Sequence, residues 1–486
     1  MSSIGILLSA LGSLGAQCTN AWLPAVAANG AIETIAAWDP DGDGPQPTLL
    51  AVGGSFSSIG GIPAANVAVW NPATGVWATL GSGMTGTVNE LRATASGDLL
   101  AAGFFTTAGG VACSGVARWR AGAWQPVGTG PGGFPVHVIE TDQGHVVATG
   151  FFSGGIHNVA SCVAGVWSYA TTDVNPGVPA LAKLVDGTVL LSGSSGIYAW
   201  TPTGLLGFAG LPAPTTAICA LRGGGFVAAG SWAQIGGQAV GYIARWNGTA
   251  WQPLGAGLDF SFPFPLVSSI VELPDGDLVI GGSFPAASGV VCNNIARWNG
   301  GSWSALGAGT VGGIAELAFL PHGLLAVGGT FTSAGGLPAS RFAVIGTSCP
   351  GSAQVAGASC AGSGGNSQLS AHGVPLLGGT FTAVGSGLPA SSVAIVVHGL
   401  QPIVPGLPLA ALLPPAAAGC DLHVFPVVFD FAVPANGTAR ASLAVPDDVS
   451  WLGTTLFQQW VVLEVGGGLV LDTTATNALQ VTVGAF

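Results

Sequence analysis

The sequence predicts an all-β chain: a seven-bladed β-propeller whose last blade is closed by the N-terminal strand, followed by a small β-sandwich domain. Three observations predict it. A short glycine–aromatic motif recurs seven times. Each recurrence sits in the same strand–turn–strand grammar, with tryptophans at fixed places. After Gly346 that grammar stops, and short alternating strands replace it.

The motif reads Ala51-Val52-Gly53-Gly54-Ser55-Phe56, Ala101-Ala102-Gly103-Phe104-Phe105 and Ala148-Thr149-Gly150-Phe151-Phe152 in the first half of the repeat array. It returns at Ala228 to Trp232, Ile280 to Phe284 and Val327 to Phe331, with a degenerate copy at Leu191 to Ser195. The aromatic or equivalent positions are 56, 105, 152, 195, 232, 284 and 331, so the steps are 49, 47, 43, 37, 52 and 47 residues. Such a period suits propeller blades of four strands each.

Within a copy, an alternating strand such as Ile270-Val271-Glu272-Leu273 comes first. Pro274-Asp275-Gly276-Asp277 then turns the chain, since Asp-Gly supplies the positive φ of a tight turn. Leu278 to Gly282 is continuously apolar, as expected of a strand buried on both faces. A Gly-rich loop leads to Asn294-Ile295-Ala296-Arg297-Trp298, a turn at Asn299-Gly300-Gly301 and an outer strand, Ser302 to Gly307. The third and fourth strands repeat with Trp70 and Trp77, Trp119 and Trp124, and Trp246 and Trp251; the third copy keeps Trp167 and has Cys162 at the Trp119 position. Paired tryptophans also suit a ligand site. Their constant repeat position favours packing of blade on blade.

The seventh copy has a third strand, Arg341 to Gly346, and no fourth. Asn20-Ala21-Trp22-Leu23-Pro24-Ala25 matches Thr249-Ala250-Trp251-Gln252-Pro253-Leu254, so the N-terminus is expected to complete that sheet and hide its edge. A Cys18–Cys349 disulfide would staple the closure, with Cys349–Cys360 as the competing pair. In the tail, strands are expected at Phe381 to Val384, Val393 to Val397, Leu422 to Val428, Ala439 to Val445, Leu456 to Val465 and Ala478 to Val483, with Cys360–Cys420 as a staple. The expected organisation is a signal peptide over 1–17, the propeller over 18–348, a linker over 349–366 and the sandwich over 367–486. The signal peptide rests on the apolar run Ile4 to Leu14 before Gly15-Ala16-Gln17, although a basic n-region is absent.

Composition narrows the function classes. Charged residues make up 6% of the chain, against about 25% in ordinary domains. The most apolar stretch, Gly406 to Cys420, is broken by Pro408, Pro414 and Pro415, so no membrane span is expected. A net charge of −12 with one lysine, Lys183, argues against nucleic acid. Eight cysteines fit an oxidising compartment, and no spacing suggests zinc.

With these motifs in hand, the signature G-G-[ST]-F…I-A-R-W-N-G-x-x-W-x-x-L-G resembles that of secreted bacterial delta-60-repeat and kelch-like β-propeller proteins, planctomycete type. It is also similar to the repeat of fungal cortical cell-polarity marker propellers. The resemblance covers about Trp22 to Gly346. The tail, with Cys360-Ala361-Gly362-Ser363-Gly364-Gly365 and Thr476-Asn477-Ala478-Leu479, looks like the C-terminal β-domain that follows such propellers. The resemblance implies the fold and export, and it transfers no catalytic residue.

Two site candidates follow. Asp39, Asp41 and Asp43 alternate in the Gly-kinked loop Asp39-Pro40-Asp41-Gly42-Asp43-Gly44, a pattern that can gather carboxylates on a structural Ca²⁺; the competing reading is a solvated acidic turn. No glutamate stands at the twelfth position, where Leu50 lies. Glu90, Glu140, Glu272 and Glu316 fall on the expected innermost strands, where paired carboxylates suit acid–base chemistry or merely line a wet channel. No His spacing suggests a triad or a metal, and no G-x-S-x-G elbow is present. The leading expectation is therefore a secreted or cell-surface scaffold binding a protein, glycan or matrix partner. An extracellular enzyme using channel carboxylates, and a self-associating envelope or filament protein, are the alternatives.

Overall fold

The computed structural model describes residues 20–484 except 24–27, 43–45, 73, 153–156, 171–179, 194–195, 209–213, 260–264, 321–322, 348–351, 364, 378, 414, 447–450 and 452. The signal-peptide segment 1–17, Cys18, Asp43, Ser195 and Cys349 lie outside the described residues. The described chain is almost entirely β, and it divides into two compact units that meet at Gly346 and Thr347.

In the first unit the described residues form seven antiparallel sheets of four strands. The sixth is representative: Leu266–Glu272, Leu278–Ser283, Ile295–Trp298 and Trp303–Ala305, paired in chain order. The first strands of successive sheets lie side by side in cyclic order, that of the seventh sheet (Ile314–Leu320) against that of the first (Ala31–Trp38). Each interface has its own apolar core. Phe342 and Val344 of the seventh sheet, for example, pack with Ile32, Ile35 and Val52 of the first.

The fourth strand of the seventh sheet is Asn20–Leu23, paired with Phe342–Thr347. Trp22 donates its indole N–H to Leu306 O at 3.0 Å. Three outer-strand tryptophans make the same bond elsewhere: Trp124 to Leu80 O at 3.0 Å, Trp167 to Val127 O at 2.8 Å and Trp303 to Leu254 O at 2.8 Å. The tryptophans on third and fourth strands are cross-strand pairs, with ring centroids 5.2 Å apart for Trp298 and Trp303. Packing of sheet on sheet accounts for them.

The Gly-rich loop is more ordered than the sequence implied. It is a two-stranded hairpin, as in Leu337–Pro338 with Ser333–Ala334, turned by Gly335 and Gly336 at φ 60° and 81°. A Cβ on Gly335 would sit 2.1 Å from Trp22. The loop and the sheet-completing strand therefore lock together.

The second unit has a six-stranded sheet: Ser352–Ala356, Ala478–Thr482, Thr455–Gly466, Ser392–Gly399 and Val428–Ala432 in order, with Leu469–Ala475 also on Thr455–Gly466. A three-stranded sheet, Gln368–His372, Thr380–Ser386 and Thr438–Ala444, shares a core with it around Trp460. Two expectations need correction. The stretch 349–366 is more than a linker, because Ser352–Ala356 pairs along its length with Ala478–Thr482. The expected strand Leu422 to Val428 is two strands, Asp421–Val424 and Val428–Ala432, separated around Pro426.

Cys360 and Cys420 form a disulfide. That rules out the Cys349–Cys360 alternative. Cys113, Cys162, Cys219 and Cys292 are free thiols. Cys113 and Cys292 occupy equivalent buried hairpin positions, and burial pushes their thiol pKa up. They behave as small apolar side chains.

Candidate functional site

A cavity of about 350 Å³ lies among the first strands, lined by Glu33, Glu90, Arg92, His137, Ser269 and Glu316 among others. The strand geometry that builds it begins with the motif's last glycine. Gly54 and Gly282 leave no room for a side chain: an added Cβ would sit 2.1 Å from Ala31 O and 2.0 Å from Leu266 O respectively. Opposite each glycine the first strand carries a β-bulge, between Ile32 and Thr34 in the first sheet and between Val267 and Ser269 in the sixth.

The bulge aims one side chain and one N–H at the neighbouring sheets. Leu91 N–H donates to Thr34 Oγ1 at 3.0 Å, Val138 N–H to Glu90 Oε2 at 3.0 Å, Leu317 N–H to Ser269 Oγ at 3.1 Å and Ile35 N–H to Glu316 Oε2 at 3.0 Å. Thr34, Glu90, Ser269 and Glu316 are equivalent positions just after the bulge, and each holds the next sheet. The bulged residues add a second clasp, from Asn89 Nδ2 to Pro135 O at 3.2 Å and from Thr216 Oγ1 to Val267 O at 2.7 Å.

This separates the four glutamates that the sequence grouped together. Glu90 and Glu316 face the cavity. Glu140 and Glu272 lie at the ends of their strands instead, held by Arg118 and Arg222 respectively. Spacing carried the signal: Glu140 and Glu272 precede their turn glycines (Gly144, Gly276) by four residues, whereas Glu90 and Glu316 precede theirs (Gly97, Gly323) by seven. Glu33, which also lines the cavity, was not foreseen.

Electrostatics set Glu90 and Glu316 apart. Burial opposes ionisation of Glu90, but the Arg92 guanidinium and His137 outweigh it and hold the carboxyl down at about 2. His137 Nδ1 lies 2.8 Å from Glu90 Oε2, and Arg92 bonds Oε1. Burial and then the Glu90 charge push Glu316 up to about 7, against the lowering effect of Arg92 and of bonds from Thr34 and Ile35. One carboxylate is thus locked as an anion while its neighbour titrates near neutrality.

At the hairpin turns, Arg297 bonds Asp277 at 2.7 Å and Asp275 at 2.6 Å, and Arg118 bonds Asp98 at 2.9 Å. In the second and sixth sheets the arginine of the A-R-W motif pins the carboxylates of its own sheet's turn. In the first sheet Val69 stands in that register position, and the turn carries Asp39 and Asp41. Asp41 Oδ2 accepts from Gln46 N–H at 3.1 Å. Asp43, the third carboxylate of the candidate Ca²⁺ loop, is outside the described residues. Among the described residues, no group of three or more His, Cys, Asp or Glu is gathered to hold a metal ion, and no helix is long and apolar enough to cross a membrane.

Cyclically neighbouring four-stranded sheets built on a repeat define a β-propeller protein. Residues 28–123 match the family model described as the Rax2 C-terminal beta propeller domain. No curated protein sequence matches the chain. Among solved structures, the chain is similar to the WD40 propeller domain of Doa1, at 13% identity over 67% of this chain and 94% of that one, with a TM-score of 0.44. It is similar to U3-55K at 14% identity, 67% and 98% coverage and a TM-score of 0.47. The extracellular domain assigned to a hybrid two-component system of B. thetaiotaomicron shares 9% identity over 94% of this chain and 55% of that chain, with a TM-score of 0.42.

Proposed function

We propose that the chain is a non-catalytic scaffold displayed outside the cell, which uses a face of a seven-bladed propeller to bind a protein, glycan or matrix partner. The finer family type, delta-60-repeat or kelch-like, rests on the blade signature, and we take the tail to be a β-sandwich. One observation carries the reading. The cavity carboxylates serve as acceptors for backbone N–H groups of the next sheet, Glu90 for Val138 and Glu316 for Ile35. Such acceptors hold a ring rigid, and a rigid ring presents its variable loops as a binding surface. The Cys360–Cys420 disulfide agrees with an extracellular setting. Asp39, Asp41 and Asp43 are proposed to hold a structural Ca²⁺ at the first hairpin, in place of the arginine found in the second and sixth sheets.

The enzyme alternative has its own observation, the divergent proton affinities of Glu90 and Glu316 in one cavity. The purified chain, wild type and Glu316→Gln, is assayed against arrayed glycans and matrix proteins, and against polysaccharides for released sugar. The scaffold reading expects saturable binding that Glu316→Gln leaves unchanged, with no turnover. Turnover abolished by Glu316→Gln would overturn it.

A further inference from the structure

The second unit leaves one sheet edge open in an unusual way. Val428–Ala432 ends the six-stranded sheet, pairing on one side with Ser392–Gly399. Along it and its flanks, alternate residues are apolar and exposed: Phe425, Val427, Phe429, Phe431 and Val433 are 58, 56, 57, 69 and 74% exposed. Phe429 and Phe431 lie opposite Val397 and Ile395 on the sheet face where the Cys360–Cys420 layer packs, and they extend beyond its cover. With about 200 Å² of surface per phenylalanine, the three rings alone expose roughly 370 Å². Two valines raise this further, well toward the ~800 Å² that each partner contributes to a standard interface. An apolar patch of this size is as large as the largest on ordinary monomers and is often functional, and here it borders a strand whose outer side no strand among the described residues pairs.

We propose that this edge is a dimerisation strand: two copies of the chain pair antiparallel, edge to edge, about a two-fold axis through Phe429. In that register Phe429 meets Phe429, Val427 meets Phe431 and Phe425 meets Val433, so every exposed apolar side chain finds an apolar mate. Asp430 then faces Val428 of the other copy. Moving the axis one residue, to Asp430, would set two carboxylates opposite each other, so charge selects the register. A lipid surface fits poorly, because residues 400–439 contain no lysine or arginine to meet anionic headgroups. Pro426 and Pro434 flank Val428–Ala432 and donate no ladder hydrogen bond, which favours a closed pair over a growing fibre.

Sedimentation velocity of the full chain, from sub-micromolar to tens of micromolar, tests this. The wild type is expected to dimerise, and Phe429→Ser with Phe431→Ser is expected to raise the dissociation constant about a hundredfold or more. Both positions are exposed, and near-UV circular dichroism verifies that the fold persists. Under mild oxidation Phe429→Cys should give a covalent dimer. Phe431→Cys, whose mate is Val427, should not, and neither should the wild type. A wild type monomeric at every concentration overturns the proposal, including one that instead floats with anionic vesicles or captures a different protein. So does a dimer indifferent to the serine pair, or crosslinking through Phe431→Cys in preference to Phe429→Cys.

Discussion

In the propeller unit, Phe342–Thr347 would be an open edge were it not paired with Asn20–Leu23; in the tail unit, Val428–Ala432 ends its sheet, and no strand among the described residues pairs with its outer side. The first edge is closed from within the chain by a segment distant in sequence, with Trp22 bonded to Leu306 across 284 residues. The second is flanked by prolines and carries its apolar side chains outward. Closing a ring demands a strand of fixed register, so the sequence reserves one. A free-standing sheet makes no such demand, and its edge can serve an outside partner.

Four measurements break or sharpen that contrast. The largest effect is expected where the ring is held from inside: Glu90→Ala, which strands Arg92 and His137 in the cavity, should lower stability by about 3–5 kcal/mol in urea unfolding. A cost below about 1 kcal/mol would mean that the clasps do not hold the ring. Trp22→Ala removes an indole packed against Gly335 and its bond to Leu306, and should cost about 2–4 kcal/mol. A neutral result would show that the covering strand is dispensable.

The pH profile is next. Glu90 is held at about 2, below its ordinary 4.5, so the folded state binds this proton more weakly than the unfolded state. Its stabilisation is present above pH 4.5 and is lost as pH falls toward 2. Glu316, raised to about 7, has the opposite sign: the folded state retains the proton, and stability declines as pH rises from 4.5 through 7. Melting temperature against pH should peak near the lower end of that window, and Glu316→Gln should flatten the decline up to pH 7. An unchanged slope in that variant would refute the assignment. The smallest effect belongs to the tail, where Phe429→Ser with Phe431→Ser in monomeric protein should alter stability by no more than about 0.5 kcal/mol per site, since both rings are exposed. A larger loss would show that this edge is part of the fold.

Much of the propeller unit was legible because its residues obey a repeat. The turn at Asp275-Gly276, the strand Leu278–Ser283 and the Trp298–Trp303 pair all follow from local rules, and the match of Ala21-Trp22 to Ala250-Trp251 revealed the displaced strand. The cavity was less legible. Glu90 and Glu140 group together in the sequence because both fall on innermost strands; only the bulge and the packed neighbours give Glu90 to Val138 and Glu140 to Arg118, although the spacing to the turn glycine already differs. The A-R-W arginines carried no assigned role in the sequence beyond the repeat signature. Their role depends on carboxylates about twenty positions earlier, as in Arg297 with Asp277. In the tail, Ser352–Ala356 was hidden by its small, polar composition, and its partner strand alone makes it a strand. Whether Asp39, Asp41 and Asp43 gather on an ion depends on a turn that local spacing does not determine.

The clasps run one way round. In each, a side chain just after the bulge accepts a backbone N–H from the following sheet: Thr34 from Leu91, Glu90 from Val138, Ser269 from Leu317, Glu316 from Ile35. In these four, and in the second clasps from Asn89 and Thr216, the following sheet contributes only a backbone group, so it need supply no particular residue. A copied or transplanted module would bring its own fastener and find a ready recipient wherever it landed. Threonine, serine and glutamate all occur in that role, whereas the fifth sheet has Ala217 there. An array joined in this manner can be lengthened, shuffled or diverged by gene duplication without matched changes on both sides of each new seam.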